Sequence, residues 1–438
     1  MIRSISLAIS AATLLVSSSA LAQQSAYGCA SLEIAEPTPI VEGKDGFFFR
    51  KHLLRMHHQM SDQVVTELSK LSNALASRGT TLVMVPLPSK PLAEPDMLTE
   101  QIQEFGFDHD LGRQVYDRIV ERLNDQGILT VNVLDKMLSV KADEANFLAT
   151  DIHWTSTGAR LTAQAVAETI AGTQGYDALP KTKFETSSLG KRVVFSTLRR
   201  QIQAYCTKTI PDAVTEVFET RPVESASAEQ ASIFADQAQG PVIALVGTSM
   251  SDTAEYNFAG FLAQETSLEV VNYSVTGGNQ FGAIEAYLTS DEFRDRPPTY
   301  LVWENPIYNN LGNFGYAPLR ELVVAAGDTC SRPLDVTRNQ DGTISAKLAP
   351  GDISPSDSIR AEANTRAVRA ASFRIVSKNG DVQPATINRG DRIESSGRFF
   401  LHMEPYWTPD VTEVRVEFDR PSAASSTLTL CTEKETQG

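Results

Sequence analysis

Between residues 62 and 76, apolar side chains return at helical spacing, at Val64, Val65, Leu68, Leu71 and Leu75, so one face of a helix is written there. The run Leu82-Val83-Met84-Val85-Pro86 has no alternation and predicts a strand covered on both faces. Helical spacing resumes at Val115, Ile119 and Leu123, and residues 129–134 predict the next strand. Thr155 or Ser156 stands as the cap of a helix expected over 157–170. Residues 242–246, 268–273 and 300–303 predict three further strands. Helices and buried strands alternating in this way imply an α/β unit, a largely parallel sheet covered on both sides.

Beyond residue 330 the texture changes. Short strands are predicted at 343–348, 372–377, 397–403, 411–418 and 426–431, separated by turn residues, and a β-sandwich closes such a set. Charge divides at the same place: residues 330–438 hold 14 Lys+Arg and 15 Asp+Glu, so the excess acid lies upstream, −15 over residues 23–329. Residues 223–240, rich in Ser, Ala, Gln and Glu, predict a surface excursion. The expected organisation is therefore 1–22, a leader; 23–329, the α/β domain; and 330–438, the sandwich.

The leader follows from Arg3, an apolar run over 5–16, and Ser17-Ser18-Ser19-Ala20-Leu21-Ala22, the pattern of a secretory signal peptide cleaved after Ala22. No other stretch is long and apolar enough to span a bilayer, so the mature chain is expected outside the cytoplasm. Its four cysteines, Cys29, Cys206, Cys330 and Cys431, allow three pairings. Cys29–Cys206 with Cys330–Cys431 would staple each half separately. Close Cys pairs of the kind that hold zinc are absent, and no metal is expected. With 54 acids against 39 bases and no basic run, nucleic acid is excluded as a partner.

Strand 242–246 runs straight into Gly247-Thr248-Ser249-Met250-Ser251, which sets Ser249 where open α/β sheets keep their ligands. A serine needs a base, and Thr150-Asp151-Ile152-His153-Trp154 offers one: Asp151 can hold one ring nitrogen of His153 while the other faces Ser249. The plainer alternative has Asp151 capping local backbone and His153 satisfied within the core. His52, His57 and His58 sit in a basic stretch, His109 among acids and His402 in the tail. Candidate oxyanion donors are the Ser249 amide and the turn Gly277-Gly278-Asn279.

These segments, together with Gly43-Lys44-Asp45-Gly46-Phe47-Phe48-Phe49, Val85-Pro86-Leu87-Pro88 and Trp303-Glu304-Asn305-Pro306, resemble the ordered motifs of the alginate O-acetyltransferases of the AlgX/AlgJ family. The tail and its cysteines put the likeness on the AlgX side. The resemblance implies a circularly permuted SGNH-hydrolase-like domain followed by a carbohydrate-binding module, with catalytic roles on Asp151, His153 and Ser249. Tyr308 is the nearest match to a tyrosine that helps form the active site in relatives. It further implies a periplasmic protein, an acidic polysaccharide as acceptor, and an acetyl donor relayed from a membrane acyltransferase system, within a polysaccharide export or modification complex. No nucleotide loop for acetyl-CoA is evident, and no cofactor is expected. A polyanion would be repelled by the acidic first part, so Arg360, Arg366, Arg369, Arg392 and Arg398, with Tyr406-Trp407 for stacking, are the candidate sugar contacts. An esterase with the same triad, and a non-catalytic polysaccharide-binding scaffold, are the competing functions.

Overall fold

The strands of the first part are β1 (Ile40–Glu42), β2 (Phe48–Arg50), β3 (Thr81–Leu87), β4 (Leu129–Thr130), β5 (Phe184–Val193), β6 (Val214–Pro222), β7 (Ile243–Val246), β8 (Val270–Asn272) and β9 (Tyr300–Pro306). They are taken from a computed structural model that describes residues 25–432 apart from 57, 59, 140–143, 224–239, 328 and 350. The expected leader, His57 and almost all of the 223–240 excursion lie outside the described residues. Five strands form one sheet in the order β4-β3-β9-β7-β8, parallel throughout.

Period-two geometry explains why these strands carry no polar alternation. Leu82, Met84, Ala244, Val246, Leu301 and Trp303 enter one apolar layer, while Val83, Val85, Leu87, Ile243, Leu245 and Val302 enter the other. The first layer is closed by helices Asp62–Ala76, His109–Asp125, Gly282–Leu288 and Ala317–Gly327, the second by Ser156–Ala171 and Phe258–Thr266. The helix at 62–76 begins where the Ser61 side chain accepts from Val64 N–H and carries Asp62 in its first turn, both favourable to a helix N-terminus. Leu68, Leu71 and Leu75 are wholly buried, and truncating any one to Ala would cost about 2–5 kcal/mol.

Two local expectations need correction. The strand foreseen at 129–134 ends at Thr130, because the Asn132 side-chain oxygen accepts from Asp135 N–H at 3.0 Å and starts helix Val133–Ser139 instead. The antiparallel hairpin β5–β6 was not foreseen: nearly all of β5 is exposed, so no buried face left a hydrophobic pattern to read.

The second part consists of β10 (Cys330–Pro333), β11 (Val336–Arg338), β12 (Ile344–Lys347), β13 (Ser358–Glu362), β14 (Ala370–Ser377), β15 (Val382–Asn388), β16 (Arg398–His402), β17 (Val411–Phe418) and β18 (Thr427–Cys431). Two antiparallel sheets, β10-β18-β13-β16 and β11-β12-β17-β14-β15, enclose a core containing Ile359, Phe373, Phe399, Leu401, Val414 and Val416. Cys330 faces Cys431 in register and is bonded to it, and Cys29 is bonded to Cys206.

The two parts meet across buried charge. Arg389, with its side chain fully enclosed, donates to Glu285 at 2.5 Å, to both Glu321 oxygens at 2.7 and 3.1 Å, and to Arg398 O at 2.8 Å. Arg398 in turn reaches Asp291, Thr289 O and Glu362. Breaking such a set by removing one partner typically costs about 3–5 kcal/mol.

Candidate active site

The carboxyl edge of the sheet gathers the chemistry. Thr248 caps the short helix Ser249–Asp252 by accepting from Met250 N–H, which leaves Ser249 partly exposed at the first helical position, where no preceding carbonyl claims its amide. The turn itself is held from below by Glu304 of β9. This wholly buried carboxylate accepts from Thr248 N–H at 2.8 Å, the Thr248 hydroxyl at 3.1 Å and the Ser251 hydroxyl at 3.0 Å. Burial raises its pKa, against the pull of those donors and of His153. A side chain at Gly247 would collide with the same carboxylate, which is why a residue without Cβ stands before the serine turn.

His153 comes to Ser249 from a tight loop preceding helix Ser156–Ala171. Its Nε2 lies 2.8 Å from Ser249 Oγ, and its Nδ1 lies 2.5 Å from Asp151 Oδ1. Asp151 is buried and also accepts from His153 N–H at 3.0 Å. Burial acts to raise the Asp151 pKa, but the hydrogen bonds and charge of His153 overcome it, with help from Ser196, and hold the carboxyl at about 2. Trp154, fully buried, donates its indole N–H to Met250 O at 2.9 Å, so the histidine loop and the serine turn are fastened directly together. His153 also stacks on Tyr256, with centroids 5.8 Å apart.

A buried lysine secures the loop from the opposite side. Lys90, just past β3, donates to the carbonyls of Phe48 (2.8 Å), Leu148 (2.6 Å), Ala149 (2.8 Å) and Asp151 (3.0 Å). Burial lowers its pKa to about 7 against the attraction of Asp151 and Glu94. Neither Lys90 nor Glu304 was assigned a role from sequence, although each carries a signal: a lysine between Ser89 and Pro91 at the end of an apolar strand, and a glutamate inside a strand buried on both faces.

Tyr308 follows β9, and its pKa is raised by burial and by the charges of Glu304 and Asp151, while Arg50 acts in the opposite sense. Gly278 and Asn279 are not joined to Ser249 by any hydrogen bond: Gly278 packs on Val275, and Asn279 turns its oxygen to Phe281 N–H at 2.8 Å. Gly277, at φ 74°, gives way to the Arg392 side chain.

Most of the candidate sugar contacts are committed internally. Arg398 is enclosed in the ion pairs above, Arg369 donates to Gly390 O and Ile393 O, Arg360 reaches Thr429 and Glu362, and Trp407 packs on the sandwich core with its N–H on Ile353 O. Arg366, 3.7 Å from Asp291, and Arg392 line a cavity of 430 Å³ at the junction of the two parts, with Tyr273, Ser274 and Tyr287 and the carboxylates of Asp291, Glu292 and Glu394. The Ser274 and Tyr287 hydroxyls are buried there without a hydrogen-bond partner among the described residues. Val275, also on this wall, is tied to the serine turn through Gly247 O at 3.1 Å. Among the described residues no cluster of His, Cys, Asp and Glu could hold a metal ion, and no helix is long and apolar enough to cross a membrane.

Known proteins share this fold. The alginate biosynthesis protein AlgX of Pseudomonas aeruginosa is 33% identical over 295 residues, 67% of this chain, and the match spans 60% of that relative's own length. AlgX of Pseudomonas syringae pv. tomato is 27% identical over 403 residues, 89% of this chain and 82% of the relative. The crystal structure of Pseudomonas aeruginosa AlgX superimposes with a TM-score of 0.73 at 25% identity, covering 91% of this chain and 95% of that one. Because the family model described as "SGNH hydrolase-like domain, acetyltransferase AlgX" matches residues 40–307, the parallel-sheet part and its serine turn included, the chain belongs to the AlgX family of SGNH-hydrolase-like proteins.

Proposed function

We propose that this chain is a periplasmic O-acetyltransferase that carries acetyl through Ser249 onto hydroxyls of an acidic exopolysaccharide, alginate above all. The observation that carries it is the 2.8 Å approach of His153 Nε2 to Ser249 Oγ, with Asp151 on the other ring nitrogen. The family's description as an acetyltransferase and the relatives' names as alginate biosynthesis proteins supply the reaction and the polymer. Two disulfides suit an oxidising compartment, in keeping with the leader pattern at 1–22.

His153 takes the Ser249 proton as the oxygen attacks the carbonyl of an acetyl ester. The tetrahedral oxyanion rests on the Ser249 N–H, and Tyr308 stands beside it. Collapse expels the donor alcohol, which receives the proton from His153, and leaves acetyl on Ser249. A sugar hydroxyl then gives its proton to His153, attacks the acyl-enzyme, and departs acetylated as Ser249 is reprotonated. Asp151 keeps the imidazole in the tautomer that faces the serine and offsets its charge. General acid–base help contributes about 10²–10⁴ in rate, and an oxyanion donor about 10²–10³. The acetyl donor reaches the site from a membrane acyltransferase system within a polysaccharide modification complex, and the polymer runs past Arg366 and Arg392 at the junction.

Mass spectrometry after exposure to a chromogenic acetyl ester tests the proposal. An acetyl adduct on Ser249, discharged onto added oligouronate, is the expected result. Discharge to free acetate alone would make the protein an esterase, and failure of any adduct to form would leave a binding scaffold.

A further inference from the structure

The loop that carries Asp151 and His153 rests on a short helix that the steps above do not use. Helix Thr197–Gln203 is capped by Ser196, whose side-chain oxygen accepts from Arg199 N–H at 2.9 Å. The same hydroxyl donates to Thr150 O at 3.1 Å, the carbonyl of the peptide that leads into Asp151. Against burial, and after His153, its hydrogen bond also helps hold the Asp151 carboxyl at about 2. Ile152, between the acid and the base, packs against a small apolar cluster that includes Leu198 and Ile202 of the helix. The helix is fastened in its turn: Arg199 Nε donates to Pro211 O at 2.8 Å, its Nη2 to Ile210 O at 3.0 Å, and Gln201 Nε2 to Thr38 O at 2.8 Å. Thr150 and Ser196 are both buried, so bulk water does not stand in for a lost partner.

We propose that Ser196 is a positioning residue for the transfer reaction: by donating to Thr150 O from the head of a fixed helix, it sets where the Asp151 carboxylate meets the His153 ring. This rests on the triad proposed above. A serine hydroxyl accepts and donates at once, and the two halves of that capacity serve different ends. Accepting from Arg199 N–H starts the helix, a task that other caps perform as well. Donating reaches the loop, and only a side chain with a hydroxyl proton does that here. Lys90 holds the next carbonyl, Asp151 O, at 3.0 Å, so the peptides on either side of the acid are both pinned, one by Ser196 and one by the ammonium. Both bonds from His153, ring and backbone, fall on Asp151 Oδ1, so a displaced carboxylate takes the imidazole with it, away from Ser249.

Ser196→Gly, Ser196→Ala and Ser196→Thr in the full-length protein separate the two roles. Each is scored by its thermal melt, by kcat and KM for a chromogenic acetyl ester, and by the downfield NMR line of the proton between His153 and Asp151. Glycine starts a helix nearly as well as serine but offers no donor, whereas alanine loses cap and donor together. Threonine keeps both, and the extended backbone at residue 196, φ −126° and ψ 116°, suits its branched Cβ. Gly and Ala are expected to lower kcat by about 10- to 100-fold, the upper end being the cost of a misplacement of about 1 Å, with KM little changed and the NMR line shifted or broadened. Thr should regain most of the rate and the parent's line. If Gly keeps the parent's kcat and line while Ala only lowers the melt, Ser196 is a helix cap and the proposal is overturned; a folded Thr variant as slow as Ala overturns it too. Absence of any acyl-enzyme in the parent would end the transferase reading, and the NMR line, which needs no turnover, would still decide the role of Ser196.

Discussion

Replacing Lys90 by Met removes a single ammonium and four hydrogen bonds. Phe48, Leu148, Ala149 and Asp151 each lose the ammonium, with Ala149 O keeping Phe48 N–H at 2.9 Å and Leu148 O the longer Asp151 N–H at 3.5 Å, and an apolar side chain of similar length fills much of the space without replacing any of the lysine's bonds. A buried acceptor left without its partner costs about 1–3 kcal/mol. Water entering the gap returns part of this, and the neutral side chain is spared the desolvation that lowers the lysine pKa to about 7. The net expectation is a loss of about 3 kcal/mol, which at 2–4 °C per kcal/mol lowers Tm by about 6–12 °C. The larger effect falls on rate, because three of those carbonyls belong to the loop that presents Asp151 and His153. Misplacement of a catalytic group by about 1 Å can cost on the order of 10²-fold. The assay is a circular dichroism melt paired with acylation by a chromogenic acetyl ester well below the variant's Tm. A melt within about 2 °C of the parent, the shift expected from less than 1 kcal/mol, with acylation unchanged, would refute the claim that Lys90 positions the loop.

Other outcomes follow from the same geometry. Asp151 is held at about 2, below its ordinary 3.8, so it contributes about 2 kcal/mol above pH 3.8 that is lost as pH falls through about 2; acid titration monitored by fluorescence should show this step, and Asp151→Asn should abolish it. Glu304→Gln puts an amide N–H against Thr248 N–H or the Ser251 hydroxyl, and acylation should fall while the junction with the sandwich is untouched, as tested by kinetics and limited proteolysis. Arg389→Met leaves Glu285 and Glu321 facing each other with no cation between them, and a melt lowered by about 3–5 kcal/mol of lost stability is expected. A melt within error of the parent would mean that this buried cluster contributes nothing to docking.

Much of the first part was legible because burial leaves a period. Helix Asp62–Ala76 and strands β3, β7 and β9 follow from apolar spacing alone, and Thr155 caps its helix as the sequence predicts, accepting from Gly158 N–H. Strand β4 was overrun because Val133 and Leu134 are apolar in a helix as readily as in a strand, and only the Asn132 cap decides between them. The approach of Asp151, His153 and Ser249 could be guessed from residue type and place. Lys90 and Glu304 could not be given roles, since their partners are mostly backbone atoms that sequence does not display. Arg398 misled for a different reason: it finds Asp291 on a helix about a hundred residues upstream, a distance no local pattern spans.

Strand β9 is the last of the five sheet strands along the chain and the middle one in space, with Thr81 opposite Tyr300 on one side and Ile243 opposite Tyr300 on the other. Until it inserts, β4-β3 and β7-β8 are two separate ribbons with open edges, and such long-range pairing is slow to form. Glu304 arrives with that strand. A nascent polypeptide therefore already contains its serine and histidine, and can already close Cys29–Cys206, while the latch beneath Thr248 is still missing. The serine turn therefore gains the carboxylate that fixes it only when the central strand takes its place.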